Sequence, residues 1–230
     1  TLILGTTFGC TDQLALNFNW VANSDDGSCI AILSGCTDPQ AINYDSLANS
    51  DDGSCCLLDQ FIQLGNDIDG EAAYDYSGIS VSLSSDGNTV AIGANWNDGN
   101  GSKAGHVRIY NFNGSSWIQL GNDIDGEAAG DYSGNSVSLS SDGGTVAIGA
   151  YGNDGNGSNA GHVRIYNFNG SSWIQLGNDI DGEAAGDVSG ISVSLSSDGN
   201  TVAIGAYGNG SNAGHVRIYN FNGSSWIQLG

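Results

Sequence analysis

Positive charge is almost missing from this chain. Lys103, Arg108, Arg164 and Arg217 are its only lysine and arginine residues, set against 25 aspartates and glutamates, for a net charge of −21. A field of that sign repels phosphate backbones and anionic headgroups, so no nucleic-acid or membrane partner is expected. It suits calcium, cationic surfaces or plain solubility in salt. Long apolar runs are absent as well: nothing approaches the roughly 20 residues that a spanning helix needs. Methionine is absent even from position 1, which reads as a processed or excised piece of a longer precursor with its signal peptide gone. Proline occurs once, at Pro39, and cysteine does not occur after Cys56. No segment carries a helical hydrophobic period.

What the chain does have is repetition. Segments 61–116, 117–172 and 173–225 are three copies of one sentence, and a fourth opens with Trp226-Ile227-Gln228-Leu229-Gly230. The second and third copies differ only at Tyr132/Val188, Asn135/Ile191 and Gly144/Asn200, plus a three-residue deletion in a loop. A fixed period of this size means a stacked or radial array in which each unit buries its apolar face against its neighbours. Near-identity also argues against an enzyme, because a catalytic site needs different residues in different roles.

Each copy holds four short runs of period-two alternation, in the first Phe61–Gly65, Ser80–Ser84, Thr89–Ala94 and His106–Asn111. Ser85-Asp86-Gly87-Asn88 and Asn113-Gly114 supply hairpin turns between them. The expected fold class is all-β, built from repeated four-stranded antiparallel units. The alternation assigns Ile118, Leu120, Val137, Leu139, Val146, Ile148, Val163 and Ile165 to one face. Ser136, Ser138, Ser140, Thr145, Ala147 and Gly149 fall on the other, with His162, Arg164, Tyr166 and Trp117 at its margin. A large-residue face against a small-residue face is what close sheet stacking needs. The aliphatics of one unit cannot offset the cost of ordering its backbone, so neighbours are obligatory. The matching set in the third unit (Val193, Leu195, Val202, Ile204, Val216, Ile218) is expected to be exposed for association with another copy, head to tail.

All the cysteines lie in a shorter repeat. Cys10…Cys29 and Cys36…Cys55 enclose near-identical Thr-Asp…Asp-Asp-Gly-Ser segments offset by 26 residues. Paired cysteines in a small Gly-, Asn- and Asp-rich unit read as disulfide staples in an oxidising compartment. Zinc is the rival reading, though there is no CxxC pair and no nearby histidine. The repeat favours Cys10–Cys29 and Cys36–Cys55, leaving Cys56 as a free thiol or an interchain bond. The chain thus divides into residues 1–57, two 26-residue disulfide repeats, and 58–230, three β units preceded by the orphan strand at Phe61.

The acidic motif DIDGEAAxD recurs as Asp67/Asp69/Glu71/Asp75, Asp123/Asp125/Glu127/Asp131 and Asp179/Asp181/Glu183/Asp187. Alternate acids followed by glycine gather oxygens as calcium loops do, although the spacing and closing glutamate of an EF-hand are lacking. A solvated acidic loop is the alternative. Asn23–Gly27 with Asp12, and Asn49–Gly53 with Asp38, form a similar calcium candidate. His106, His162 and His215 occur once per unit, which favours a structural role over a shared metal or base. Arg108, Arg164 and Arg217 are expected to tie a strand to the neighbouring unit's acidic loop. Asn-Gly-Ser triplets at Asn100, Asn113, Asn156, Asn169, Asn209 and Asn222 are N-glycosylation sequons and equally turn sequences. Trp117, Trp173 and Trp226 could line a glycan surface, or pack at a unit's margin.

The runs Tyr132–Ser138, Thr145–Tyr151 and Ala160–Tyr166, recurring in each copy, resemble the FG-GAP repeat, the blade unit of integrin-α-like β-propellers. The resemblance implies blades at about 77–121, 133–177 and 189–230, with strand order SVSLS, TVAIGA, HVRIYN, WIQLG from inside to outside. The sequence departs from the pattern: Phe-Gly is replaced by Tyr76-Ser77-Gly78 and its counterparts, and the family's calcium loop is cut to Ser-Ser-Asp-Gly, so that site does not transfer. Residues 1–57 resemble the GCTD…DDGSC repeats of large secreted proteins of aquatic microbes. Together these imply a secreted, extracellular structural protein that associates with itself into a fibre, rod or surface layer. The alternative is an adhesion module recognising a glycan or a cell-surface protein.

Overall fold

The computed structural model describes residues 5–57 and 62–230. The chain divides into two compact units, Thr1–Gln63 and Leu64–Gly230. In the first, two disulfides join Cys10 to Cys29 and Cys36 to Cys55, and Cys56 is an exposed free thiol. Regular structure there amounts to one parallel pair, β1 (Ser34–Gly35) and β2 (Ser50–Asp51). Its core is four small residues, Cys10, Ala15, Cys36 and Ala41. Asparagine side chains do the work that strands do elsewhere. Asn17 donates to the Ser28 carbonyl at 2.7 Å and accepts from the Ile30 N–H at 2.8 Å, and Asn43 repeats this with Ser54 and Cys56.

The second unit is three antiparallel sheets. The first blade is β3 (Ser80–Leu83), β4 (Thr89–Ala94), β5 (His106–Phe112) and β6 (Trp117–Gln119), paired in that order, and β7 (Ile124–Asp125) pairs again with the start of β5. The second blade repeats it with β8 (Ser136–Leu139), β9 (Thr145–Ala150), β10 (His162–Phe168), β11 (Trp173–Gln175) and β12 (Ile180–Asp181). The third is β13 (Ser192–Leu195), β14 (Thr201–Ala206), β15 (His215–Phe221) and β16 (Trp226–Gln228). Between β14 and β15, where the deletion falls, lies a short turn at Asn209–Asn212, with Gly210 and Ser211 in left-handed backbone conformation. Asp86, Asp142 and Asp198 close the first hairpin of each blade, each accepting a 2.6 Å bond from the serine two residues before it.

Four expectations need correcting. Phe61 lies outside the described residues, and residues 62–65 form no strand. The outer strand WIQ pairs with Tyr110–Phe112 in the first blade, and no HVRIYN run precedes residue 61 to offer the same edge. The outer strand also does not stop at the glycine: after a kink at Leu120–Asp123 it resumes as Ile124–Asp125, so two residues of the supposed acidic loop are sheet, with Ile124 buried.

The third correction concerns faces. Antiparallel register sets Val163 opposite Gly149 and Ile165 opposite Ala147, while Arg164 stands opposite Ile148 and Tyr166 opposite Val146. Directly opposed residues share a face. The front face therefore carries Val137, Leu139, Val146, Ile148, His162, Arg164 and Tyr166; the back carries the serines, Ala147 and Gly149 together with Val163 and Ile165. Each back face packs on the next front face. Ala91, Val107 and Ile109 join Val137, Leu139, Val146 and Ile148 in one buried cluster, and Ala147, Val163 and Ile165 join Val202 and Ile204 in the next. The fourth correction follows: Val202 and Ile204 are sealed inside the chain. The residues left uncovered on the third blade are on its back face, Val216 (67% exposed) and Ile218 (42%), and on the first blade's front face, Val81 (63%) and Leu83 (59%).

Candidate functional site

The chemistry of this protein is concentrated where one blade meets the next. At the inner strands, Ser80 Oγ donates to the Gly134 carbonyl at 2.7 Å and Ser136 Oγ to the Gly190 carbonyl at 2.8 Å. Ser82 and Ser138 accept from the N–H groups of Leu139 and Leu195, each at 2.9 Å. The small back face thus brings hydroxyls to bond length of the neighbouring backbone, and a methyl group at Gly93 or Gly149 would overlap the carbonyl oxygens of Gly134 or Gly190. At the outer strands, Trp173 Nε1 donates to the Leu120 carbonyl at 2.8 Å, while its ring lies on Phe168 with centroids 5.1 Å apart. The tryptophans are therefore tied into the blade margin.

The arginines fall where expected, bonded to the neighbouring acidic segment through its backbone. Arg164 Nη2 donates to the Asp125 carbonyl at 2.6 Å, and Arg108 and Arg217 do the same to Asp69 and Asp181 at 2.7 and 2.6 Å. Arg164 Nη1 also lies 3.5 Å from Glu127 Oε1.

The acids of a single DIDGE segment are not gathered around one point. Asp75, Asp131 and Asp187 are buried and close the turn that follows. Asp131 accepts from the Ala128 N–H at 3.0 Å and from Asn153 Nδ2 at 3.2 Å, and its counterparts do likewise. Asp69, Asp125 and Asp181 have exposed or strand-edge positions, with their carbonyls on the arginines. Asp123 and Asp179 each accept from a glutamine four residues earlier, Gln119 and Gln175, at 2.6 Å. Asp67 has a partner of its own.

What the fold brings together instead crosses from one repeat to the next. Glu71, His106 and Asp123 form one group of potential metal ligands among the described residues, and Glu127, His162 and Asp179 form a second. The histidine begins the third strand, the glutamate lies just beyond the strand or segment that flanks it, and the aspartate belongs to the following repeat's motif. Sequence reasoning weighed the acids and the histidines separately because Glu127 and Asp179 are 52 positions apart. The signal available was the once-per-unit recurrence of both. Burial holds the His162 imidazole below its ordinary pKa of 6.5, with the Arg164 cation acting in the same direction and Asp179 and Glu127 opposing it.

Each repeat also carries an open pocket, of about 320, 300 and 290 Å³ in chain order, and Asp123 and Asp179 line the second and third. The second is walled by Asn122, Asp123, Asp125, Tyr166, Ser172 and Trp173, and the other two repeat the same residue types.

In the first unit, Asp25 and Asp26 bond the N–H groups of Gly27 and Ser28 at 3.1 and 3.0 Å, Asp12 bonds that of Leu14 at 2.9 Å, and Asp51, Asp52 and Asp38 repeat the pattern. Hydrogen bonds from Ser28 and Ser54 hold the carboxyls of Asp26 and Asp52 below their ordinary range. Of the sequon asparagines, Asn113, Asn169 and Asn222 sit at exposed turns and accept from the two following serines. Asn100 and Asn156 donate through Nδ2 to the Gly126 and Gly182 carbonyls at 2.7 Å, and Asn209 donates to Asp187 at 3.3 Å.

Residues 68–110 and 124–166 match the family model described as FG-GAP repeat: the chain carries FG-GAP repeats. Residues 110–123, 166–179 and 219–230, which span the hairpin between each blade's third and outer strands, match a model described as RIP homotypic interaction motif. No curated protein matches. Among solved structures the chain is similar to Kuenenia stuttgartiensis hydrazine synthase, at 14% identity and a TM-score of 0.42, covering 74% of this chain and 38% of that one. It is also similar to Sqt1 of Saccharomyces cerevisiae, at 13% identity and a TM-score of 0.43, covering 73% and 38%. The chain thus spans 38% of the length of each, and overlaps this loose carry no argument about function. FG-GAP repeats and disulfides are typical of extracellular proteins, and the repeats suggest an extracellular repeat or binding module. No helix among the described residues is long and apolar enough to cross a membrane.

Proposed function

We propose that this is a secreted, non-enzymatic structural repeat protein whose chains associate head to tail, extending the blade stack into a rod, fibre or layer. One observation carries the reading. The back face that makes each internal junction is also present at one end of the stack, with Val216 and Ile218 uncovered, and at the other end the inner strand of the front face is uncovered at Val81 and Leu83, beside the buried Val90 and Ile92. Val216 and Ile218 are the third-blade counterparts of Val107 and Ile109, which are buried in the first junction, and Val81 and Leu83 are the counterparts of the buried Val137 and Leu139. A second copy can therefore cover the exposed back face with contacts the chain already makes twice. The interface is heterologous, so it propagates unless the rotation closes a ring. The likeness of the hairpins to a motif named for homotypic interaction points the same way, although those segments are already paired within each blade.

Light scattering over a concentration series tests it. Wild type is expected to grow in mass with concentration, and Val216→Lys with Ile218→Lys to remain monomeric with its strand signal intact. A wild-type chain that stays monomeric at high concentration would refute the proposal. The recurring pockets favour a second reading, in which Trp and Tyr faces flanked by Asn and Asp bind a glycan once per blade. Glycan binding abolished by Trp173→Ala and Trp226→Ala, with no growth in mass, would replace the first reading by the second.

A further inference from the structure

The Glu–His–Asp groups have a geometry that self-association does not use. His162 is 1% exposed, yet neither ring nitrogen has a hydrogen-bond partner. Its Nδ1 lies 3.9 Å from Glu127 Oε2 and 3.6 Å from Asp179 Oδ2, too far for a hydrogen bond. The opposite oxygen of each carboxylate is engaged elsewhere: Glu127 Oε1 faces Arg164 Nη1 at 3.5 Å, and Asp179 Oδ1 accepts from Gln175 Nε2 at 2.6 Å. Both carboxylates thus turn one oxygen to a positioning partner and the other to the same imidazole. The carboxylate distances recur on the front face of the first blade. His106 Nδ1 lies 3.8 Å from Glu71 Oε2 and 3.7 Å from Asp123 Oδ2, with Arg108 on Glu71 Oε1 at 3.9 Å and Gln119 on Asp123 Oδ1 at 2.6 Å.

The geometry points to a divalent transition-metal site of zinc type at each of these two groups, one on the front face of the first blade and one between the first and second blades, ligated by the imidazole Nδ1 and one oxygen from each carboxylate. Tetrahedral donors about 2.0–2.2 Å from a zinc ion stand about 3.3–3.6 Å from one another, and the N···O separations here, 3.6–3.9 Å, need to close by only a few tenths of an ångström. A nitrogen donor buried against two carboxylates suits zinc, copper or nickel, whereas calcium takes six to eight oxygens. Arg164 and Gln175 supply the outer-shell hold that fixes the ligating carboxylates. Burial favours the neutral ring, whose lone pair a metal requires. Because Glu127 follows the last strand of the first blade while His162 and Asp179 belong to the second, an ion there would pin one blade to the next. The third histidine has Glu183 at 3.7 Å but no acid from a following repeat among the described residues.

The rival arrangement is an imidazolium held between two carboxylates with no ion. Zinc titration by calorimetry on the EDTA-treated full chain, in a Cys56→Ser background that removes the exposed thiol, separates them. Two equivalents are expected for the parent, one for His162→Gln, and none when His106→Gln is added. Cobalt loading should produce visible d–d bands that fall in the same proportion. If His162→Gln fails to fold, the exposed Glu127→Gln is expected to lower stoichiometry by one. Absence of zinc uptake, uptake unchanged by these substitutions, or displacement of zinc by calcium would each overturn the assignment. So would an imidazole that NMR shows protonated at neutral pH in the presence of zinc.

Discussion

Gly149 and Gly205 occupy the same position in successive blades, yet alanine should affect them very differently. At Gly149 an added methyl group overlaps the Gly190 carbonyl oxygen, and that oxygen already accepts the Ser136 hydroxyl at 2.8 Å. A backbone carbonyl inside a packed junction cannot rotate away as a side chain would, so the second and third blades must part. Overpacking of this kind costs about 1–3 kcal/mol, and losing the serine bond adds about 1 kcal/mol. At Gly205 the methyl group meets first the Ser192 hydroxyl, which can rotate. The expected change there is within about 0.5 kcal/mol. Urea unfolding followed by tryptophan fluorescence should therefore show Gly149→Ala with a clearly lower midpoint and Gly205→Ala close to wild type. Equal destabilisation by the two substitutions would refute this order of blade packing. Gly205→Ala also probes association without charge. In a head-to-tail pair its methyl group would face the Gly78 carbonyl of the docking copy, so growth in mass should cease while monomer stability is unchanged.

Three further outcomes are expected. Val188 has a left-handed backbone (φ +59°) where the other blades carry Tyr76 and Tyr132; Val188→Tyr should relieve the branched side chain and stack on Tyr207 as Tyr132 does on Tyr151, raising stability by about 1 kcal/mol in urea unfolding. Reduction of Cys10–Cys29, whose ends are 19 residues apart, should cost its repeat about 3 kcal/mol and abolish its slow amide exchange while the blades keep theirs. The Ser140 hydroxyl and Gly144 N–H bonds hold the Asp142 carboxyl below its ordinary value of 3.8. Its contribution is thus complete above pH 3.8 and is lost as the pH falls through the depressed folded value. Asp142→Asn should accordingly destabilise at neutral pH and match wild type in strong acid, as read from melting temperatures across that range.

How much of this was legible beforehand follows from what each feature depends on. Strand positions, hairpin turns and the cysteine pairs are local. Alternation in Thr145–Ala150, the Ser-Ser-Asp-Gly turns and the 26-residue offset of Cys10/Cys29 and Cys36/Cys55 carry them without knowledge of any distant contact. The same holds for the arginine ties, since a single arginine per acidic repeat has few other partners. Faces are another matter. Alternation sorts residues within one strand, but only the cross-strand register decides that Val163 shares a face with Gly149 rather than Val146. That one-step difference splits the expected exposed set: Val202 and Ile204 are buried, while Val216 and Ile218 stay exposed on the opposite face. Ile124 likewise reads as part of an acidic loop until the edge of β5 offers it a partner. The sequence by itself determined the repeat, its strands and its staples, because these arise from short-range backbone preferences. Which acids meet which histidine, and which faces are left bare, were decided only when the blades stacked, because those depend on contacts between segments a whole repeat apart.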